Sequence, residues 1–383
     1  MDYKNLNINL VNLPKVRVAA GLYSHWDSVV KINQDILNWV REAYKEKSKN
    51  IVLNSMEEVA YTIDEAIKSE GKEFLITEDV YNRLNQFFLK REFRIGGNGF
   101  NMGNMLFLSG LVPVVSFPSR SKKLMESSPA FKVVLNDELK KPKEAMRIAD
   151  VDYDHIIIEL ENSRHILSWD PITSQGLFDY DFLKFASDAE NIDIMILAYA
   201  HLLLPEHKKK TDDIIDLLGM KRPKIHLEFG LGCKDSMKYA MEKFSDNKHC
   251  DSWGMNEKEC QIYLGAESDV MEDLKEATLN AIKEYNLDRI CVHTPEFAFS
   301  ISRYDLVKEY RSLIIACFYA AARTFGGLNL KVAKTLPTEL EPVKEKIGDY
   351  NFCMVPCLIN KFPKILTGVG DGFAAVQAVK ILS

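Results

Sequence analysis

Glycines placed just before a helix let backbone N–H groups converge on an anion, and the helix dipole adds to the attraction. Thr367-Gly368-Val369-Gly370-Asp371-Gly372 has that form, with an Ala- and Val-rich helical stretch at residues 373–382 directly after it. A phosphate group suits such a turn. Asp371, at the helix start, could accept the proton of an attacking hydroxyl, the base role that phosphoryl transfer needs. The same residues also read as an N-cap followed by a plain turn.

Other carboxylates have metal-compatible spacing. In Ile225-His226-Leu227-Glu228-Phe229 the period of two puts His226 and Glu228 on one face of a strand. A carboxylate at a strand end could hold magnesium through water, and the alternative is a strand with one solvated polar face. Asn256 and Glu259 stand three apart at a helix start, where they share a face or form a capping box. In Gly96-Gly97-Asn98-Gly99-Phe100-Asn101 an unhindered backbone could approach a sugar, with Asn98 or Asn101 bonding its hydroxyls. A glycine turn before a helix is equally available there. Asp27 could orient a hydroxyl or serve as a turn residue.

The elements that must position these residues follow from periodicity. Residues 16–21 read as a first core strand running into a polar loop that ends at Asp27, and residues 29–45 and 56–69 as amphipathic helices. Short apolar runs at 131–135 and 155–160 suit a smaller sheet. From residue 192 onward, strand-like runs at 192–198, 224–229, 290–293 and 352–355 alternate with helical stretches. The expected fold is α/β, a mostly parallel sheet flanked by helices. A smaller α+β lid is expected to be inserted in the first half. Residues 1–27, 94–130 and 175–383 are assigned to the large nucleotide-binding domain, and 28–93 and 131–174 to the lid.

Composition narrows the partners. The chain has 383 residues, 46% of them apolar and 27% charged, and its 49 basic against 55 acidic residues give a net charge of −6. That balance argues against a nucleic-acid groove and favours a small-molecule partner. The apolar stretch at 312–322, flanked by Arg311 and Arg323, is too short for a membrane helix, and no secretory signal is visible at the N-terminus. Seven cysteines without a paired CxxC spacing suggest reduced thiols in a cytoplasm.

In this order the motifs resemble the ADP-dependent glucokinase and phosphofructokinase family of the ribokinase superfamily. The resemblance implies an ADP-dependent kinase acting on a hydroxyl of a sugar or sugar phosphate. It makes Asp371 the catalytic base, Gly368, Val369 and Gly370 the anion hole, and Glu228 and Glu259 the carboxylates that position hydrated Mg2+. It makes Asp27, Gly96 and Gly97 sugar contacts, and it places the segments around His293 and around Val355 and Pro356 in the adenine and ribose pocket.

Several positions depart from the family pattern. Ser24-His25-Trp26 replaces an Asn-rich segment, which makes His25 an acceptor-side candidate, while Asn98 and His201 stand where the family commonly has Gln. Lys238 falls where the family often has an arginine near the phosphates. Arg164 lies in a segment resembling the one that supplies a cation to a phosphorylated acceptor. An ATP-dependent or nucleoside-directed kinase, and a non-catalytic sugar- or nucleotide-binding protein on the same fold, are the alternative readings.

Overall fold

The computed structural model describes residues 12–43, 47, 51–69, 71–160, 163–172, 177–199, 203–204, 207–219, 221–365 and 367–383. Its larger sheet has nine strands. From one edge to the other these are Val343–Ile347, Tyr350–Pro356, Phe297–Ser302, Arg289–His293, Ser252–Asn256, Lys224–Phe229, Ile194–Tyr199, Val18–Gly21 and Val114–Val115. The run from Arg289–His293 to Val114–Val115 is parallel throughout. The three strands at the other edge are antiparallel to their neighbours. Parallel strands covered on both faces need apolar residues on both, and Ile194–Tyr199 is buried at every position.

Helices Leu306–Arg323 and Val369–Leu382 pack together on one face of this sheet and are buried over most of their circumference. Helices Lys208–Leu217, Lys234–Ser245 and Met271–Glu284 contribute to the core on the other face. The polar face of Lys224–Phe229 is therefore not solvated. His226 and Glu228 are 0% and 5% exposed, so the solvated-strand alternative does not hold.

The smaller sheet has six strands, in the order Val52–Leu53, Glu73–Ile76, Arg164–Ser168, Asp154–Glu159, His25–Lys31 and Glu92–Gly96. Helices Gln34–Glu42, Met56–Lys68 and Glu78–Phe87, capped by the side chains of Asn33, Ser55 and Thr77, bury their apolar faces against it. The helix expected from residue 29 begins at Gln34 instead. Residues 25–31 pair with strands on both sides, and this cross-strand bonding overrides a local helical spacing that Asn33 interrupts. Strands His25–Lys31 and Glu92–Gly96 run unbroken across positions 27/28 and 93/94. Residues 133–140 form a separate hairpin, joined to the larger sheet by a bridge between Val114 and Lys132.

Two of the four places where the chain passes between the sheets are adjacent. Residues 22–24 link Val18–Gly21 to His25–Lys31, and Gly97, at φ 87°, links Glu92–Gly96 to helix Asn98–Leu108. The Gly99 N–H donates to the Tyr23 carbonyl at 2.9 Å. A Cβ on Gly97 would lie 2.6 Å from that same oxygen, so this crossing needs glycine for space as well as for conformation.

An ion pair anchors the larger sheet from within. Arg289 Nε donates to Glu309 Oε1 at 2.8 Å and Ser300 Oγ to Glu309 Oε2 at 2.7 Å, with both charged side chains fully buried. Removing one partner strands a buried charge. Arg289→Met should cost about 3–5 kcal/mol in a urea titration, and Arg289→Met combined with Glu309→Leu should recover much of the loss.

Candidate active site

Gly368, at φ 72°, starts the C-terminal helix, and its own Cβ position would be 2.5 Å from the Asn101 side chain. Asp371 follows in the first turn. It is not the N-cap, because Gly368 holds that position and the Asp371 carboxylate bonds outward. Asn98 Nδ2 donates to one of its oxygens at 2.8 Å and Asn101 Nδ2 to the other at 2.9 Å. Burial raises the Asp371 pKa above the ordinary carboxylate range, although both amides work in the opposite direction.

Two cavities meet at this helix start. One, of about 250 Å³, opens toward the smaller sheet and is lined by His25, Asp27, Gly97, Asn98, Gly368 and Asp371, among others. The second, of about 410 Å³ and more apolar, is bounded by His293, Thr294, Cys357, Asn360, Gly370 and Phe373. Gly370 brings its backbone so close to His293 that an added Cβ would be 3.0 Å from the imidazole Cε1.

Glu228 joins the strand layer to this helix. Its Oε1 meets His293 Nε2 at 3.0 Å and its Oε2 meets His226 Nε2 at 3.2 Å. Burial alone would favour the neutral acid, but these two partners lower the Glu228 pKa. Burial opposes the charge on His293 as well, yet Glu228 pushes its pKa up to about 9. His226 is shifted down, chiefly by burial. Its Nδ1 meets Ser252 Oγ at 3.0 Å, and Arg289 Nη1 donates to that hydroxyl at 3.1 Å.

Glu259 completes a capping box with Asn256: the Asn256 N–H donates to Glu259 Oε2 at 2.7 Å, and the Glu259 N–H to Asn256 Oδ1 at 2.9 Å. The two sequence readings of this pair therefore coexist, since Asn256 and Glu259 also line the smaller cavity. Burial pushes the Glu259 carboxyl up to about 8, with the Glu228 charge adding to the shift. Glu259 thus faces the smaller cavity, whereas Glu228, with both oxygens bonded to imidazoles, lies behind it and lines neither cavity.

At the smaller cavity, Gly96 leaves room for Asp27: a Cβ there would be 2.0 Å from Asp27 Oδ2. His25 Nδ1 is 3.1 Å from Asp27 Oδ1, and the His25 ring stacks on His155 with centroids 3.8 Å apart. Arg164 Nη1 and Arg94 Nη2 both donate to Thr367 Oγ1, at 2.9 and 3.0 Å.

Most of the sequence candidates thus converge. Val355 and Pro356 do not line the second cavity. They are buried, and residues 357–360 just beyond them form its wall. Lys238 is exposed on helix Lys234–Ser245 and lines neither cavity, and His201 lies outside the described residues. Sequence reasoning missed Arg94, Thr367 and His155, and it gave Asn98 or Asn101 to the sugar, whereas both bond Asp371. The position of Arg94, two residues before Gly96, was the available signal.

The model for the ADP-specific phosphofructokinase/glucokinase conserved region matches residues 16–379. The chain belongs to this family. It is a phosphotransferase of the ADP-dependent sugar kinase type, with an alcohol group as acceptor. No curated protein sequence matches it. Among solved structures, a hypothetical ADP-dependent phosphofructokinase from Pyrococcus horikoshii is 19% identical, with 97% of this chain and 98% of that one covered at a TM-score of 0.75. A last common ancestor of ADP-dependent phosphofructokinases from Methanosarcinales is 18% identical, with 99% and 96% covered at 0.75. An ADP-dependent kinase in complex with fructose-6-phosphate and ADPβS is 18% identical, with 98% and 95% covered at 0.76. These likenesses establish the fold, a large, mostly parallel sheet flanked by helices with a smaller α+β part. No helix among the described residues is long and apolar enough to cross a membrane.

Gly368 is constrained by both conformation and space. Gly368→Ala should displace Asn101 and the helix start together, lowering kcat/KM by about 10²-fold, as expected for a misplacement of about 1 Å. Circular dichroism should show an intact fold.

Proposed function

We propose that the protein transfers the β-phosphoryl group of Mg-ADP to a hydroxyl of a sugar or sugar phosphate, with Asp371 as general base. One observation carries this reading: the glycine-flanked helix start lies where the two cavities meet, with Asp371 facing the smaller one and Gly370 the larger. A donor in the larger cavity and an acceptor in the smaller would present reacting oxygens to the same helix N-terminus from opposite sides, as in-line transfer requires. The solved relative with fructose-6-phosphate and ADPβS supports this pairing of ligands.

In this mechanism Asp371 accepts the proton of the attacking hydroxyl. Asn98 and Asn101 hold its carboxylate in place, and the N–H groups of Val369 and Gly370 face the charge developing on the transferred phosphoryl. Glu259, with the Glu228 charge behind it, would hold a hydrated divalent cation, which supplies charge neutralisation for the donor phosphates. His293 packs against Gly370 and Phe373 at the donor side. Asp27, His25 and Asn98 meet the acceptor hydroxyls, and the smaller sheet acts as a lid that excludes water. The two guanidinium groups of Arg94 and Arg164 favour an acceptor that carries a phosphate. All seven cysteines are free thiols, in keeping with a cytoplasmic enzyme.

Incubation with magnesium and either ADP or ATP against a panel of sugars, sugar phosphates and nucleosides tests the whole reading. AMP release that depends on one acceptor is the expected result. ADP release from ATP would replace the donor assignment, and turnover with nucleosides alone would replace the acceptor class.

Asp371→Asn should lower kcat by about 10²–10⁴-fold with little change in melting temperature. Unchanged turnover would remove the base assignment. The pH profile tests the amides: donors to a carboxylate favour its charged form, so removing one raises the pKa. In Asn101→Ala the acid limb of kcat/KM should therefore move to higher pH than in the wild type, where raised Asp371 already sets it above the ordinary carboxylate range. Arg164→Ala should raise KM for a phosphorylated acceptor more than KM for its unphosphorylated counterpart.

A further inference from the structure

Two thiols face each other in the wall of the larger cavity. Cys317 Sγ, on helix Leu306–Arg323, is 3.8 Å from Cys357 Sγ, which lies one residue beyond strand Tyr350–Pro356. Both residues line the cavity with His293, Thr294 and Gly370. Cys317 is buried and Cys357 half-buried, so one sulfur is open to a solute while the other sits behind it. Of the other five thiols, Cys233 is half-buried and lines neither cavity, and the remaining four are buried. Burial pushes those of Cys250, Cys260, Cys291 and Cys353 up to about 12, and a thiol so rarely ionised reacts slowly. No second cysteine pair is in sulfur contact among the described residues.

We propose that Cys317 and Cys357 form an oxidisable pair, which a peroxide converts to a disulfide that impedes ADP binding in the larger cavity. The second part rests on the reading of that cavity as the donor site. In the first step the Cys357 thiolate attacks a peroxide oxygen, the O–O bond breaks, and a sulfenic acid forms as hydroxide leaves and is protonated to water. In the second, the Cys317 sulfur attacks that of the sulfenic acid, the S–S bond forms, and the hydroxyl departs with the Cys317 proton as a second water. Two thiols are oxidised and one peroxide reduced. A sulfur–sulfur distance of about 2.05 Å requires the pair to close from contact, drawing the segment that begins at Cys357 toward the helix. That segment continues through Leu358, Ile359 and Asn360, which form the same wall.

The full-length enzyme is treated with hydrogen peroxide, with and without saturating ADP, then alkylated and mapped by mass spectrometry. The expected result is a peptide linking Cys317 to Cys357, slower to appear in ADP, together with a rise of at least about fivefold in KM for ADP that dithiothreitol reverses. In C317S and in C357S, whatever their starting rates, KM for ADP measured before and after peroxide should be equal. Absence of the linked peptide while ADP still supports turnover overturns the proposal. A linked peptide with no ADP protection and no KM change overturns its donor-site half, and a peroxide effect that persists in both variants assigns the sensitivity elsewhere.

Discussion

Glu228 is a buried carboxylate kept ionised by two imidazoles, and a large share of the structure serves that condition. Its strand cannot move it toward water, because neighbouring strands flank it on both sides and helix Val369–Leu382 covers its polar face. The adjacent strand must offer glycine opposite it: a Cβ on Gly254 would be 1.9 Å from Glu228 Oε2. Behind it, His226, Ser252, Arg289 and Glu309 continue one hydrogen-bonded line through the sheet. Gln377, buried in the C-terminal helix, brings its amide to 3.0 Å from His226 Nε2 and so ties the line to the helix that begins at Gly368. Partly satisfied networks of this kind are costly, so each member restricts its neighbours.

The electrostatics of the helix start follow from that line. Glu228 holds His293 charged, and His293 lies against Gly370, so positive charge accumulates where backbone N–H groups already point outward. Asp371 carries negative charge a single residue further on. Its position is tolerable because Asn98 and Asn101, both on helix Asn98–Leu108, donate to it. Charges of both signs are therefore held close together without neutralising one another directly, an arrangement suited to moving a proton one way and a phosphoryl group the other.

How much of this was legible in the sequence depended on the range of the interactions. Strand Lys224–Phe229 and helix Met56–Lys68 were readable because apolar periodicity is a local property. The turn at Gly368 and the capping box at Asn256 were readable because glycine and capping chemistry act within a few residues. Strand His25–Lys31 was not, since its conformation comes from partners more than 60 and 120 residues away, at Glu92–Gly96 and Asp154–Glu159. Strands Phe297–Ser302 and Val343–Ile347 also went unread, although each pairs with a neighbour close in sequence. The pairing of Asn101 with Asp371 spans 270 positions and could not be seen from spacing at all. Val355 was misplaced by two residues because a strand's last buried position and the first residue of the cavity wall look alike in a sequence.

The two adjacent crossings between the sheets, at residues 22–24 and at Gly97, act geometrically as a pivot. Points near a pivot travel least. Asp27 and Gly96 sit within a few residues of it, on adjoining strands. Arg164 lies two strands further across the smaller sheet and four residues further along it, in line with Lys31 rather than Asp27. A rotation of that sheet about this point would leave Asp27 almost where it is and sweep Arg164 through a longer arc, toward or away from Thr367. The two guanidinium groups that meet at Thr367 would thus respond differently, that of Arg94 staying with Asp27 and that of Arg164 withdrawing.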